Sequence, residues 1–107
     1  MSTDLDRVRS LERMLEKRPG DVRVRFALAV EHLKAGRTEE GVRELRAYLA
    51  AADDEGNGWG RLGSALVELG RPDEAADAYR RGIEAAERHG HPTMAAELAQ
   101  DLELLGG

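Results

Sequence analysis

The sequence predicts an all-α fold made of antiparallel helix hairpins. Apolar residues recur every three or four positions along most of the chain, as they do on the buried face of an amphipathic helix, and no segment alternates as a β-strand would. Glycine also punctuates the chain, and a glycine just past a helix end supplies the left-handed residue that closes the last turn. The punctuating glycines are Gly20, Gly36, Gly56, Gly70, Gly90 and Gly106.

Six apolar stripes mark six helices in chain order. They comprise Leu5, Val8, Leu11 and Leu15; Leu28 and Leu33; Val42, Leu45 and Leu49; Leu62, Leu66 and Leu69; Ala75, Ala78, Tyr79 and Ile83; and Met94, Leu98, Leu102 and Leu105. The predicted spans are 4–18, 21–35, 38–52, 57–69, 72–89 and 93–105. Because the links between them are short, consecutive helices should pack as antiparallel hairpins.

Polar residues and prolines mark several of the predicted helix starts. Thr3 with Asp6 is an acidic relative of the capping box, and Asp21 can cap the second helix. Pro72 and Pro92 suit the first positions of the fifth and sixth helices, where a missing backbone N–H costs nothing. These signals therefore agree with the apolar stripes on where the helices begin.

Composition narrows the classes of function. The 107 residues suit one domain, and the net charge of −5 without a basic block argues against a nucleic-acid partner or an anionic membrane surface. The chain has no cysteine, so it has no disulfide and no thiol nucleophile. Its polar, acidic start is no signal peptide, and no apolar run approaches the length of a membrane span. We therefore expect no membrane association and a cytoplasmic location.

The chain nearly repeats itself. The string VELGRPDEAADAYRRGIEAA begins at residue 67, and LKAGRTEEGVRELRAYLAAA begins 34 residues earlier. Both contain Gly-Arg, a Glu three residues after that Arg, and a closing pair of alanines. Two helices fall within each period, and one such hairpin cannot bury its apolar stripe alone. The repetition therefore predicts that neighbouring units stack on one another.

The repeated unit carries a spaced motif across residues 56–89. Its first helix contains Trp59, Leu62, Gly63 and Leu66, and its second contains Ala75 and Tyr79. This pattern and its period resemble the tetratricopeptide repeat, which has W-x2-L-G-x2-Y in the first helix and A-x3-F in the second. The chain departs from the family at Glu87, where a proline is expected. The phrases RFALAVEHLKAGR and YRRGIEAAERHG are also similar to small stand-alone bacterial proteins of this family.

The other segments match the pattern less well. In the repeat spanning 22–55, Leu28, Ala29 and His32 take signature places, but Arg25 stands where tryptophan is expected. Gly41 and Leu45 stand for A-x3-F there, and Asp53 replaces the proline. Residues 4–20 form a half or degenerate repeat in which Pro19 keeps the proline place. Residues 92–106 do not repeat the signature and are predicted to be the terminal capping helix that such arrays need.

The resemblance implies a short right-handed superhelix whose first helices line a concave, partner-binding face. The residues it places there are Arg23, Phe26, Val30, Leu33, Lys34, Asn57, Arg61 and Ser64. Phe26 and Val30 would anchor an apolar side chain, and Arg23, Lys34 and Arg61 would orient a carboxylate.

Plainer interpretations of these residues remain open. Because FALAV is apolar all round its helix, Phe26 could instead fill the interhelix slot that Arg25 leaves. The three basic side chains could be ordinary solvated surface. Trp59 and Tyr79 are expected in the core, because they occupy signature places.

A pair of histidines and a run of glycines are two further features that could have special roles. His89 and His91, with Glu87 nearby, lack a third strong ligand and the helical spacing of a metal site, so no metal or other cofactor is expected. Gly56, Gly58 and Gly60 predict a loosely held entry to the fourth helix, which could be a hinge or of no consequence.

The sequence therefore predicts a non-catalytic module that binds a peptide or helix of a partner protein. Acidic pairs stand at two predicted helix starts, Glu39 with Glu40 and Asp73 with Glu74. Negative charge is favourable at the start of a helix, so we interpret these pairs as helix-terminus charges and not as acid–base pairs, and no enzyme is predicted. The alternative is a self-association module in which the apolar inner face pairs with a second copy.

Overall fold

The computed structural model describes residues 3–106, which form six α-helices and no strand. The helices are α1 (Asp4–Lys17), α2 (Val22–Lys34), α3 (Thr38–Ala51), α4 (Asn57–Glu68), α5 (Pro72–Arg88) and α6 (Pro92–Gly106). The all-α prediction is confirmed, and the predicted ends lie within one residue of the observed ones. The chain divides between Ala52 and Asp53 into a first compact unit, α1 to α3, and a second, α4 to α6. The single domain and the repeat boundaries given above stay predictions.

The predicted start signals are confirmed at the atomic level. The backbone N–H of Asp6 donates to Oγ1 of Thr3 at 3.1 Å, and the Asp6 carboxylate accepts from the Thr3 N–H at 3.2 Å. The Asp21 carboxylate accepts from the backbone N–H groups of Arg23 and Val24. Each bond satisfies an N–H that has no partner within the helix, so α1 and α2 begin at defined residues. Pro72 occupies the first turn of α5.

The glycines behave in two ways. Gly36, Gly70 and Gly90 follow helix ends with φ between 72° and 75°, as the punctuation predicts. The prediction was wrong for Gly20, which has no positive φ, and for Gly106, which lies within α6. Gly56 has a φ of 127° but precedes α4 instead of closing a helix. At Gly56 a side chain is also excluded by space, because a Cβ there would lie 2.8 Å from Sδ of Met94.

The entry to α4 is tightly held. Asp54 is 3% exposed, and its Oδ1 accepts from the backbone N–H groups of Gly56 and Gly58, both at 2.8 Å. A buried carboxylate that accepts two backbone bonds fixes the first turn as a conventional N-cap would. The three glycines therefore do not leave this entry loose, since Asp54 compensates for their conformational freedom.

In the first unit, α2 packs against α3 and α1 packs on α2. Leu28, Ala29 and Leu45 are essentially fully buried at the centre. A Cβ on Gly41 would lie 2.5 Å from Cδ2 of Leu33, so the missing side chain of Gly41 makes room for Leu33. The small residue sets how closely α2 and α3 approach.

In the second unit, Gly63 of α4 and Tyr79 of α5 form a close contact between the two helices. A Cβ on Gly63 would lie 2.6 Å from Cε1 of Tyr79, whose side chain is 4% exposed. The predicted burial of Tyr79 is confirmed. The core prediction was wrong for Trp59, which is only half-buried, and the Arg81 guanidinium lies over its ring, 5.6 Å from the centroid. This cation–π contact leaves the indole at the edge of the core.

The sixth helix rests on two further glycines. A Cβ on Gly60 would lie 2.8 Å from Cδ2 of Leu98, and one on Gly82 would lie 2.9 Å from Cδ1 of the same leucine. Leu98 is 7% exposed. Two backbones without side chains thus form the seat that holds α6 against α5.

His32 is a buried polar side chain of the first unit. It is 4% exposed, as the sequence predicts for a packed helix residue, and its Nδ1 has no hydrogen-bond partner among residues 3–106. Burial lowers its pKa below the ordinary value of 6.5, and the charge of Arg37 lowers it further. Glu12, Glu40 and Glu44 oppose the shift more weakly. The imidazole is therefore neutral in the folded chain near neutral pH.

We expect Gly63→Val to lower the free energy of unfolding by about 1–3 kcal/mol, because the new side chain must displace the ring of Tyr79. Urea denaturation followed by circular dichroism measures this change. Gly20→Ala is the matched control and should be nearly neutral, since nothing lies within 4 Å of a Cβ at Gly20. An unchanged stability for Gly63→Val would show that Tyr79 can move without cost.

We expect His32 to make the fold less stable as the pH falls. Below about pH 6.5 the unfolded chain binds a proton at this imidazole and the folded chain does not, so stability is lost from there down to the folded-state pKa. His32→Leu, which copies buried Leu66 of the next repeat, should remove this component. Urea midpoints between about pH 8 and pH 5 should separate the variant from wild type increasingly as the pH falls. His91→Gln, an exposed control, should follow wild type; equal pH profiles for His32→Leu and wild type would contradict the assignment.

Candidate partner-binding surfaces

The eight predicted site residues fall on two helices. The α2 surface comprises Arg23, Phe26, Val30, Leu33 and Lys34, and the α4 surface comprises Asn57, Arg61 and Ser64. The helices belong to different units, so the two surfaces are considered separately.

An aromatic pair dominates the α2 surface. The ring of Phe26 packs on Tyr48 of α3, with centroids 4.9 Å apart and planes inclined by 56°. Both side chains are half-buried, and so is Val30, one helical turn beyond Phe26. Part of the Phe26 ring therefore packs between α2 and α3, and part of it stays exposed. Tilted aromatic pairs of this kind contribute about 0.5–1.5 kcal/mol beyond their buried area.

The other residues of the α2 surface differ in burial and in their contacts with the rest of the first unit. Leu33 is half-buried against Gly41, so much of it belongs to the seam between α2 and α3. The Lys34 ammonium lies 3.5 Å from a carboxylate oxygen of Glu31, which partly offsets its charge. Arg23 is exposed in the first turn of α2. Arg23 has no ion-pair partner among residues 3–106, so it is the side chain of this surface whose positive charge is exposed and not offset there.

The α4 surface is polar. Its three residues are spaced by four and three positions, which places them on one helical face, and all three are exposed. Oγ of Ser64 lies 3.3 Å from the phenolic oxygen of Tyr79, so this hydroxyl is hydrogen-bonded to α5. Asn57 and Arg61 extend the surface towards the start of the helix. These three residues supply polar contacts and one positive charge.

Arg25 does fill the place where the family has tryptophan. Its Nη1 donates to Oε2 of Glu44 on α3 at 2.8 Å, and the two side chains are 25% and 20% exposed. A largely buried ion pair thus bridges α2 and α3 where an indole would pack. Glu44 was not singled out from the sequence, because a single acidic residue on an amphipathic helix gives no sign of its partner.

Of the two histidines that follow α5, His89 takes part in an ion-pair cluster. Arg88 donates to Oδ1 of Asp53 at 2.9 Å, and Nε2 of His89 lies 3.1 Å from Oδ2 of the same carboxylate. Hydrogen bonds from Arg88 and then His89 lower the pKa of Asp53. Between Thr3 and Gly106 no three histidine, cysteine or acidic residues are grouped as metal ligands would be. Asp53 and His89 instead join the start of the second unit to the end of α5.

The lengths and compositions of the helices bear on whether the chain could cross a membrane. None of the six helices of residues 3–106 has the length and apolar composition that crossing a bilayer requires.

The sequence reasoning missed two residues that shape these regions. Tyr48 on α3 completes the aromatic pair, and Asp54 caps α4 from a buried position. A signal for Asp54 existed, since an aspartate just before glycines at a helix start is a capping arrangement. Tyr48 lies 22 residues from Phe26, and nothing local in the sequence connects the two rings.

Comparisons with known proteins agree with this architecture. A family model described as tetratricopeptide repeat matches residues 1–86. The TPR repeat-containing protein PA0015 of Pseudomonas aeruginosa is 29% identical over 98 residues, which cover 92% of this chain and 93% of the relative. The solved structures of MamA MSR-1 and MamA AMB-1 are 23% and 25% identical to the chain, and both superpose with a TM-score of 0.64.

The chain is shorter than the proteins in those structures. It is covered to 92% in both superpositions but spans 65% and 66% of the two MamA chains. The family model covers most of the sequence, from residue 1 to residue 86. The chain therefore belongs to the tetratricopeptide repeat family.

Proposed function

We propose that the protein is a non-catalytic interaction module that holds a peptide or helix of a partner protein on the α2 surface. Tetratricopeptide repeats in general are protein–protein interaction modules, which supports the class of function. The observation that carries the specific proposal is the half-exposed aromatic pair of Phe26 and Tyr48, with Val30 beside it. Partly buried aromatic side chains are typical anchors of protein interfaces.

The corresponding place in the second repeat is filled differently. The positions 34 residues after Phe26 and Tyr48 are Gly60 and Gly82, and there Leu98 of α6 packs against both backbones. On the α2 surface two half-buried aromatic rings stand at these positions instead. Their exposed parts offer an apolar surface that suits an apolar side chain of a partner.

Charge suggests which apolar peptide would be preferred. The protein carries a net charge of −5, and Arg23 supplies a local positive charge at the start of α2. Charged groups at an interface set orientation and association rate more than affinity. We therefore propose a partner segment with an apolar anchor and a neighbouring carboxylate, bound in the cytoplasm by a module that needs no cofactor.

Val30→Asp should weaken binding of such a peptide at least tenfold, because it places a carboxylate beside the apolar anchor. Peptides selected from a displayed random library on the wild-type protein are the probes, and fluorescence anisotropy measures their affinity. Arg23→Glu should lower the affinity for acidic peptides. Arg43→Glu, which reverses an exposed charge on α3, should leave that affinity unchanged. Selected peptides that bind Val30→Asp as tightly as wild type would refute the α2 surface as the site. Concentration-dependent pairing of wild type that Val30→Asp abolishes would favour the alternative, self-association through this surface.

Phe26→Ala should cost about 1–2 kcal/mol of stability as well as peptide affinity, because the ring has both structural and exposed faces. Tyr48→Ala is the matched control, since it removes the same aromatic pair from the other side. A double-mutant cycle of unfolding free energies measures their coupling. Coupling near zero would show that the rings do not support each other.

A further inference from the structure

A groove of about 470 Å³ is lined by all three helices of the first unit. Its main lining residues are Glu12, Leu15 and Glu16 of α1, Arg25 and Leu28 of α2, and Glu44 of α3. Each step along an α-helix turns the side chain by about 100°, so Arg25 points to a different side of α2 from its neighbour Phe26. The groove and the α2 surface are therefore separate places on the first unit.

The wall of the groove on α2 and α3 is an ion pair where the second repeat has an indole. The positions 34 residues after Arg25 and Glu44 are Trp59 and Ala78. In the first repeat, Nη1 of Arg25 donates to Oε2 of Glu44 at 2.8 Å. The two charges offset each other, so the net charge of the groove depends on the residues of α1.

The α1 wall of the groove carries two negative charges that are not offset. Glu12 and Glu16 are exposed, and neither forms an ion pair within residues 3–106. Arg9 and Arg13 precede them by three residues but do not bridge to them in the described chain. Like charges four residues apart on a helix repel each other. A cation held between the two carboxylates would relieve this repulsion.

We propose that this groove binds a lysine or arginine side chain from a basic segment of a partner protein. Long basic side chains lay their methylene groups on apolar surface and keep the charged head beside water and opposite charges. Half-buried Leu15 offers the apolar surface, and Glu12 and Glu16 offer the opposite charges. This second site goes beyond the peptide site on the α2 surface, where the proposed partner carries a carboxylate.

The lining of the groove favours a basic side chain over a bare metal ion. A divalent ion needs several oxygen ligands close together, and the described residues contain no such group of three. The guanidinium of Arg25 would also repel a doubly charged ion more strongly than a singly charged side chain. The apolar contact with Leu15, which contributes nothing to binding a metal, contributes to binding a methylene chain.

Fluorescence anisotropy with a labelled peptide of alternating lysine and leucine tests the proposal. The double variant Glu12→Gln with Glu16→Gln should weaken binding about tenfold, because it removes both charge-assisted contacts. The double variant Glu84→Gln with Glu103→Gln is the matched control, since it removes two exposed carboxylates of the second unit and leaves the same net charge. It should bind as wild type does. An equal loss in both double variants would overturn the proposal, because the peptide would then respond only to net charge.

Chemical-shift mapping by NMR on the full chain locates the bound peptide. The lysine peptide should shift the amide signals around Glu12, Leu15 and Arg25, and a peptide with glutamate in place of lysine should leave them unchanged. Shifts confined to other parts of the chain, or equal shifts with both peptides, would contradict the proposed site. Val30→Asp should bind the lysine peptide no more weakly than wild type. The failure of this groove and the failure of the α2 surface can therefore be told apart.

Discussion

The close approach of paired helices over residues without side chains is the constraint on which this structure depends. Gly41 admits Leu33, Gly63 admits the ring of Tyr79, and Gly60 with Gly82 admits Leu98. Each contact places a large apolar group where a Cβ would otherwise stand, so the interhelical distance and the burial of the neighbouring leucines depend on it. The sequence tolerates glycine inside these helices, at about 1 kcal/mol each relative to alanine, because the packing gained exceeds the loss of helix propensity.

The two repeats solve the same packing problem with different chemistry. Where the second uses Trp59 capped by Arg81, the first uses the ion pair of Arg25 and Glu44. The first also buries His32 where the second buries Leu66. A buried ion pair and an imidazole without a partner contribute less to stability than apolar side chains of similar volume. The core of the first repeat is therefore less apolar than that of the second, although both repeats consist of paired helices.

This difference separates the structural from the recognition roles of the repeats. In the second unit, Leu98 of α6 covers the seat formed by Gly60 and Gly82. In the first unit, Phe26 and Tyr48 fill the equivalent positions with aromatic rings that remain partly exposed. The proposed peptide site thus occupies the unit whose core is more polar.

Much of this architecture was readable in the amino-acid sequence because its determinants are local or periodic. The helix ends and the caps formed by Thr3 and Asp21 depend on residues that are close together in the chain. The period of 34 residues, which indicated the tetratricopeptide repeat, depends on residues a fixed distance apart. The exposed positions of Arg23 and Arg61 agree with the places that the family resemblance, together with helical geometry, implied for them. Only the tertiary structure decided that Phe26 packs on Tyr48, that Arg25 pairs with Glu44 and that Trp59 stays half-exposed. Those outcomes depend on which side chains from separate helices reach one another, and helical spacing alone does not specify that.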